Sequence, residues 1–166
     1  MTTDRSPQDL VTAITSGLLA FPLTDFDAED RFDRANFGAR VEWLAEHGAA
    51  GMFAAGGAGE FFSLSDEEYA SLVETTVAVM RGRHAPVIAA TGYGTRKAVE
   101  MALEAERLGA DGLLVLPPYL TEGTQEGLRA HVAAICSATR LGVIVYNRAN
   151  CRLTAETFLR LLDQCP

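Results

Sequence analysis

Five short apolar runs punctuate the chain: GLLAFPLT from residue 17, GMFAAGG from 51, PVIAATG from 86, GLLVLPP from 112 and GVIVYN from 142. None alternates polar with apolar positions, so each reads as a strand covered on both faces, as in a parallel sheet flanked by helices. The segments between them carry apolar residues at helical spacing, with start and stop signals. Phe37, Val41, Leu44 and Ala45 make one stripe, closed by Gly48. Ser65 and Glu68 form a capping box ahead of Tyr69, Leu72, Val73 and Met80. Thr95 is the predicted cap of a helix whose inner face is Ala98, Met101, Ala102, Ala105 and Leu108, with Gly109 just past its end. Thr124 caps a helix carrying Leu128, Val132 and Ile135, and Thr154 one carrying Phe158, Leu161 and Leu162.

The runs recur at about 25 to 35 residues, the length of one strand, one helix and two loops. Five such units predict an α/β fold, either an open doubly wound sheet or part of a closed eight-unit barrel. A barrel of about 250 residues uses roughly 31 for each unit, so five units need about 156, close to the 166 present. The expected organisation is a polar N-terminal leader over residues 1–15, then a (β/α)8 TIM-barrel domain over 16–166 truncated after five of its eight units. On that reading the chain is incomplete, and Cys165 and Pro166 lead toward a sixth strand.

Charge narrows the function. With 22 acidic against 14 basic side chains, a net charge of −8 leaves no basic stripe to neutralise phosphates, so no nucleic-acid partner is expected. The leader MTTDRSPQDL is not a secretory signal, and no apolar run approaches a membrane span. Cys136, Cys151 and Cys165 match neither a disulfide scaffold nor a paired-thiol zinc site. A cytoplasmic location, no membrane contact and no metal or cofactor are the expectations.

In a parallel α/β fold, chemistry belongs at the C-terminal ends of the strands. That rule selects Thr24, the GGAGEFF segment, Thr91 to Thr95, Pro117 to Thr121, and Tyr146 to Cys151. Gly56, Gly57, Ala58, Gly59 and Glu60 either present backbone N–H groups to an anion or form a tight structural loop. Phe62 stands where a dinucleotide fingerprint needs glycine, and no Walker lysine follows. Glu60 braces the loops or acts on substrate. Tyr146 ends an apolar strand and serves as a proton relay or as a core-edge tyrosine. Asn147 and Arg148 hold an acid substrate or simply face solvent. Tyr119 follows the prolines that end the fourth strand and stands over the mouth. His47, His84 and His131 lack metal-site spacing and read as solvated or packed-edge residues. Lys97 is the chain's single lysine, in the first turn of a helix, and reads as facing water rather than as an imine-forming amine.

GMFAAGGAGEFFSLSDEEY, PVIAATGYGT, ADGLLVLPPYLTEGTQEGL and LGVIVYNR, in this order, resemble the dihydrodipicolinate synthase and N-acetylneuraminate lyase superfamily over roughly residues 12 to 166. The FFSL, LPPYLTEG and YNR details resemble its branch that dehydrates a keto-deoxy sugar acid. The resemblance implies a (β/α)8 barrel and a class I aldolase-like mechanism. A lysine on strand six, beyond residue 166, forms a Schiff base with the substrate's 2-keto group. Water and carbon dioxide then leave 5-dehydro-4-deoxy-D-glucarate to give 2,5-dioxopentanoate.

By the same resemblance, Tyr146 shuttles protons near the imine, Gly57, Ala58, Gly59 and Glu60 hold the keto acid's carboxylate, and Tyr119 completes a relay across a subunit interface. Ala58 departs from the family pattern, which usually places threonine there. The implied assembly is a homo-oligomer, commonly a tetramer. Two alternatives stay open: a pyruvate-dependent aldolase or lyase of the same superfamily, and a non-catalytic keto-acid-binding module.

Overall fold

The computed structural model describes residues 5–117, 122–148 and 151–165. Helix α1 (Pro7–Ile14) comes first. Then strand and helix alternate: β1 (Leu19–Ala20), α2 (Arg34–Glu46), β2 (Gly51–Ala54), α3 (Asp66–Met80), β3 (Val87–Thr91), α4 (Thr95–Leu108), β4 (Gly112–Val115), α5 (Gln125–Ala138), β5 (Gly142–Val145) and α6 (Ala155–Leu162). All four strand pairings are parallel and the sheet order is β1-β2-β3-β4-β5. Met52 stands opposite Val87, Ala89 opposite Leu113, and Leu113 opposite Val143.

This order decides between the two predicted architectures. A doubly wound sheet reverses its strand order at a switch point and carries helices on both faces. Here the order never reverses, and right-handed crossovers put α2 to α5 on the same face. Successive helices accordingly pack against one another, α2 on α3 through α5 on α6. The chain therefore forms five consecutive β/α units of a TIM barrel.

The apolar runs are buried as their composition requires. Every residue of β2, β3 and β4 is buried, whereas β5, at one edge, is half-buried throughout. A central cluster that includes Phe37, Phe61, Leu72, Ile88, Leu113 and Ile135 fills the space between sheet and helices. A smaller one joins Leu128, Val132, Cys151, Leu153 and Leu161 around α5 and α6. Tyr69 crosses the central layer, and its hydroxyl donates to the Ala90 carbonyl at 2.7 Å.

The predicted caps are present with one exception. Ser65 and Glu68 bond reciprocally at 3.2 and 2.9 Å, and Thr124 and Thr154 accept from Gly127 and Thr157. Gly48 and Gly109 adopt the left-handed conformation expected past helix ends. Thr95, however, is the first residue of α4, with Gly94 in the cap position. Its hydroxyl turns instead to His131 Nδ1, 2.9 Å away.

The stretch expected as a polar leader contains α1, whose own capping box joins Ser6 and Asp9. Its one buried side chain, Leu10, reaches the N-terminal end of the sheet. A Cβ on Gly142 would lie 2.7 Å from Leu10 Cδ1, and one on Gly112 would meet the same atom at 3.1 Å and the Gly142 carbonyl at 3.2 Å. The two strands begin with glycine where this apolar plug needs room. Beside it, Asp111 accepts the Val87 N–H at 2.8 Å and pairs with Arg5 at 3.3 Å. Truncating a plug that is only 4% exposed should lower the unfolding free energy by about 2 to 5 kcal/mol for Leu10→Ala. Val11→Ala, at a position 49% exposed, should change it by less than about 0.5 kcal/mol. Denaturant titration of both variants checks the contrast.

Candidate functional site

Because all strands run the same way, the segments after β1 to β5 emerge on one edge of the sheet. The segment after β2 is the most contorted. Ala55 and Glu60 both have positive φ, 53° and 58°, and two single turns, Gly57–Gly59 and Phe61–Ser63, flank Glu60. The Gly59 N–H donates to the Gly56 carbonyl at 2.9 Å and the Glu60 N–H to the Gly57 carbonyl at 3.3 Å. Those two donors are used inside the turn. The Gly57 and Ala58 N–H groups are not, and both residues are exposed at its tip.

Gly59 is fixed from the neighbouring loop. The Thr24 hydroxyl donates to its carbonyl at 2.6 Å, and a Cβ at Gly59 would lie 3.1 Å from the Pro22 carbonyl. The glycine-rich loop thus offers two N–H groups to an anion, with Gly59 shaping the turn and Glu60 exposed.

Tyr146 follows β5, is 40% exposed, and is tied to the neighbouring strand by its N–H on the Val115 carbonyl at 3.0 Å. Arg148 lies over its ring at 5.9 Å, with Nη1 3.4 Å from the hydroxyl. The same guanidinium is exposed and can receive a carboxylate. Asn147 is occupied differently. Its Oδ1 accepts from the Leu153 N–H at 2.7 Å and its Nδ2 faces the Leu153 carbonyl at 3.4 Å, so it clamps the loop that follows β5. Tyr119 lies outside the described residues.

Two residues with no site role on sequence grounds belong here: Tyr93, inside the selected segment from Thr91 to Thr95, and His131, read as solvated or packed-edge. Tyr93, between Gly92 and Gly94 after β3, holds a positive φ of 67° and packs on Phe61 and Phe62 with ring centres 5.2 Å apart in each case. Burial first, then the nearby Asp66 charge, hold its hydroxyl above the usual tyrosine range. The glycines on either side were the available signal. His131 is buried, and burial lowers its imidazole pKa. It falls on the stripe of Leu128, Val132 and Ile135, spacing that turns it inward rather than to solvent. Thr91, within the segment selected after β3, is structural, its hydroxyl donating to the Ala98 carbonyl at 2.7 Å.

Lys97 lies in a groove between α3 and α4, paired with Asp66 at 2.5 Å. This paired position lacks the desolvation that activates an amine as a nucleophile. The remaining site residues supply a phenol, a guanidinium, two backbone donors and an aromatic wall. Such a set can hold a small carboxylic acid and move a proton. No helix among the described residues is long and apolar enough to cross a membrane.

Residues 14–166 match the profile of the Dihydrodipicolinate synthetase family. The chain is 53% identical over 161 residues to a probable 5-dehydro-4-deoxyglucarate dehydratase of Azotobacter vinelandii, covering 97% of this chain and 53% of the relative. It is 53% identical over 158 residues to the protein of the same name in Paracidovorax citrulli, covering 95% and 52%. Among solved structures, a putative dihydrodipicolinate synthetase from Pseudomonas aeruginosa superposes with a TM-score of 0.84 at 27% identity, covering 90% of this chain and 52% of that one. A chloride-inhibited dihydrodipicolinate synthase from Acinetobacter baumannii complexed with pyruvate gives 0.83 at 34%, covering 89% and 52%. The chain spans about half the length of the curated relatives it matches.

The Asn147 clamp yields a direct test. Asn147→Ala should speed hydrogen exchange of the Leu153 amide by about tenfold, the effect of one hydrogen bond worth about 1.4 kcal/mol. Unchanged exchange would mean that the loop is held by other contacts.

Proposed function

The chain belongs to the dihydrodipicolinate synthetase family, and from that membership we propose that it is part of a lyase. The enzyme removes water and carbon dioxide from 5-dehydro-4-deoxy-D-glucarate to give 2,5-dioxopentanoate. The observation that carries the reading is the 53% identity, across 97% of this chain, to a probable dehydratase of that substrate. The solved dihydrodipicolinate synthases are more distant, at 27% and 34%, which favours dehydration over pyruvate condensation.

The net reaction is redox-neutral, so no external oxidant or reductant is required. The electron sink is an imine between the 2-keto carbon and a lysine in a part of the protein outside these residues, since Lys97 is paired with Asp66 on the helical layer. This chain's share is acid–base and binding chemistry. Tyr146 carries protons between the carbon next to the imine, which loses its proton as electrons flow into the C=N bond, and the departing hydroxyl. Arg148, adjacent to that phenol, binds a substrate carboxylate.

The Gly57 and Ala58 N–H groups receive the carboxylate beside the keto group, over the turn that Gly59 and Glu60 shape. Ala58 provides only its backbone there, without the threonine hydroxyl usual in the family. Asn147 acts on substrate indirectly, through the loop it clamps. Tyr119 completes the proton relay across a subunit contact, in a cytoplasmic homo-oligomer, most simply a tetramer.

The test uses the protein expressed from its own gene. Incubation with the sugar acid should release carbon dioxide and the dioxo acid, and borohydride should trap a covalent adduct that Lys97→Ala leaves unchanged. Tyr146→Phe should lower kcat by about 100- to 1,000-fold while trapping persists. Release of pyruvate from an aldol substrate, with no carbon dioxide from the sugar acid, would replace dehydration by the aldolase reaction.

A further inference from the structure

His131 carries the feature that the described interactions leave unexplained. Its ring is 8% exposed, and Nδ1 meets the Thr95 hydroxyl at 2.9 Å, yet Nε2 is buried with no partner among the described residues. A buried ring nitrogen without a hydrogen bond is costly, and native proteins rarely tolerate it unless water completes the pairing. Directly beside His131 is a cavity of about 20 Å³. That is room for one water.

The walls say what this water would touch. Leu128, Val132 and Leu153 supply apolar walls. Leu116, Pro117 and Tyr146, at the ends of β4 and β5, line it as well. The last rung of that ladder pairs Val115 with Val145. Leu116, Pro117 and Tyr146 follow it in the chain, and their backbone carbonyls are the groups that would serve a water besides the imidazole. Side chains alternate along a strand, so Val143 and Val145, which pack against the α5–α6 cluster, face outward. Tyr146 then points to the opposite side, and its backbone is the part that the outer layer can reach.

We propose that one ordered water joins His131 Nε2 to the strand-end backbone of β4 and β5, making His131 a positioning residue for Tyr146. The inference rests on the reading of Tyr146 as the proton carrier. The Thr95 hydroxyl orients the ring from α4, α5 carries it, and the water passes its position to the two strand ends. Either neutral tautomer works, because water can donate to Nε2 or accept from it. Burial keeps the ring neutral, which preserves one donor and one acceptor nitrogen. The other titratable residues lining the cavity are Cys151 and Tyr146, the latter through its backbone. This role also accounts for the hydroxyl of Thr95 facing His131 while Gly94 takes the cap position of α4.

The experiment combines a crystal structure of the protein from its own gene with kinetics of three variants. The structure should show one water within hydrogen-bond distance of Nε2. A dry cavity, or Nε2 bonded directly to another side chain, overturns the proposal. His131→Phe should keep the fold and lower kcat about tenfold with KM nearly unchanged, as expected when geometry in the reaction step is lost but binding is not. His131→Gln, whose amide reaches the Nε2 position, should recover most of that loss. His131→Asn, which mimics only Nδ1, should recover little. Equal rates for all three variants would reduce His131 to a packing residue and overturn the proposal.

A wild-type enzyme inactive on the sugar acid would instead defeat the proposed reaction. The water and the ring ¹³Cζ resonance of Tyr146, which should shift in His131→Phe and return in His131→Gln, would still decide the inference. An unshifted resonance overturns it.

Discussion

The unbroken parallel order of the sheet is the constraint on which the rest depends. Each strand pairs with its sequence neighbours and none is skipped, so the crossover helices α2 to α5 lie on the same face. From this alone it follows that the crossover helices form one outer layer and that the C-terminal strand ends meet at one edge. The opposite edge has a different task. There Gly112 and Gly142 begin their strands without side chains and Leu10 fills the space. The packed plug and the candidate site thereby lie at the two ends of the same strands, the division that closed barrels show.

Backbone strain follows the same division. Among the described residues, four non-glycine residues have positive φ, and three of them, Ala55, Glu60 and Tyr93, stand just past the ends of β2 and β3. Each such conformation costs of order 1 to 3 kcal/mol and persists only where surroundings enforce it. The enforcement is visible. Phe61 presses against Gly92, where a Cβ would come within 2.9 Å of its ring, and the Thr24 hydroxyl holds the Gly59 carbonyl. The loops are therefore set by packed aromatic rings and short hydrogen bonds, so the exposed N–H groups of Gly57 and Ala58 keep a fixed direction. A donor already pointed at its anion loses little freedom on binding it.

Most of the fold could be read from residue order because its signals are local. Ser65 with Glu68, Thr124 and Thr154 mark helix starts through bonds that span three residues, and the apolar runs need only burial on both faces to become strands. What escaped depends on distant partners. Thr95 has the chemistry of a cap, but His131, 36 residues away, takes its hydroxyl. Residues 7–14 look polar because a short helix under the sheet buries only Leu10. Asn147 carries the right groups for an acid, yet the Leu153 backbone occupies them. At the site, residue types and strand-end positions were legible for Tyr146, Arg148 and the glycine loop. Which donors of that loop remain unused was not, because that depends on φ and ψ values no composition records.

The two edges of the sheet bear on how the site works. β1 has two residues in the ladder, and Leu18 and Leu23 beside it are 82% and 53% exposed. At the other edge β5 is only half-buried, and Leu159 and Leu162 of α6 are 63% and 48% exposed. Apolar side chains of this size, flanking unpaired strand edges, are what further strands and helices of a closed barrel would cover. Tyr146 ends the strand at one of those edges, so a group contributed by a next strand would approach its phenol there. Under the proposed chemistry, the imine-forming amine and the proton carrier would then sit on neighbouring strand ends, at the short separation a proton transfer requires.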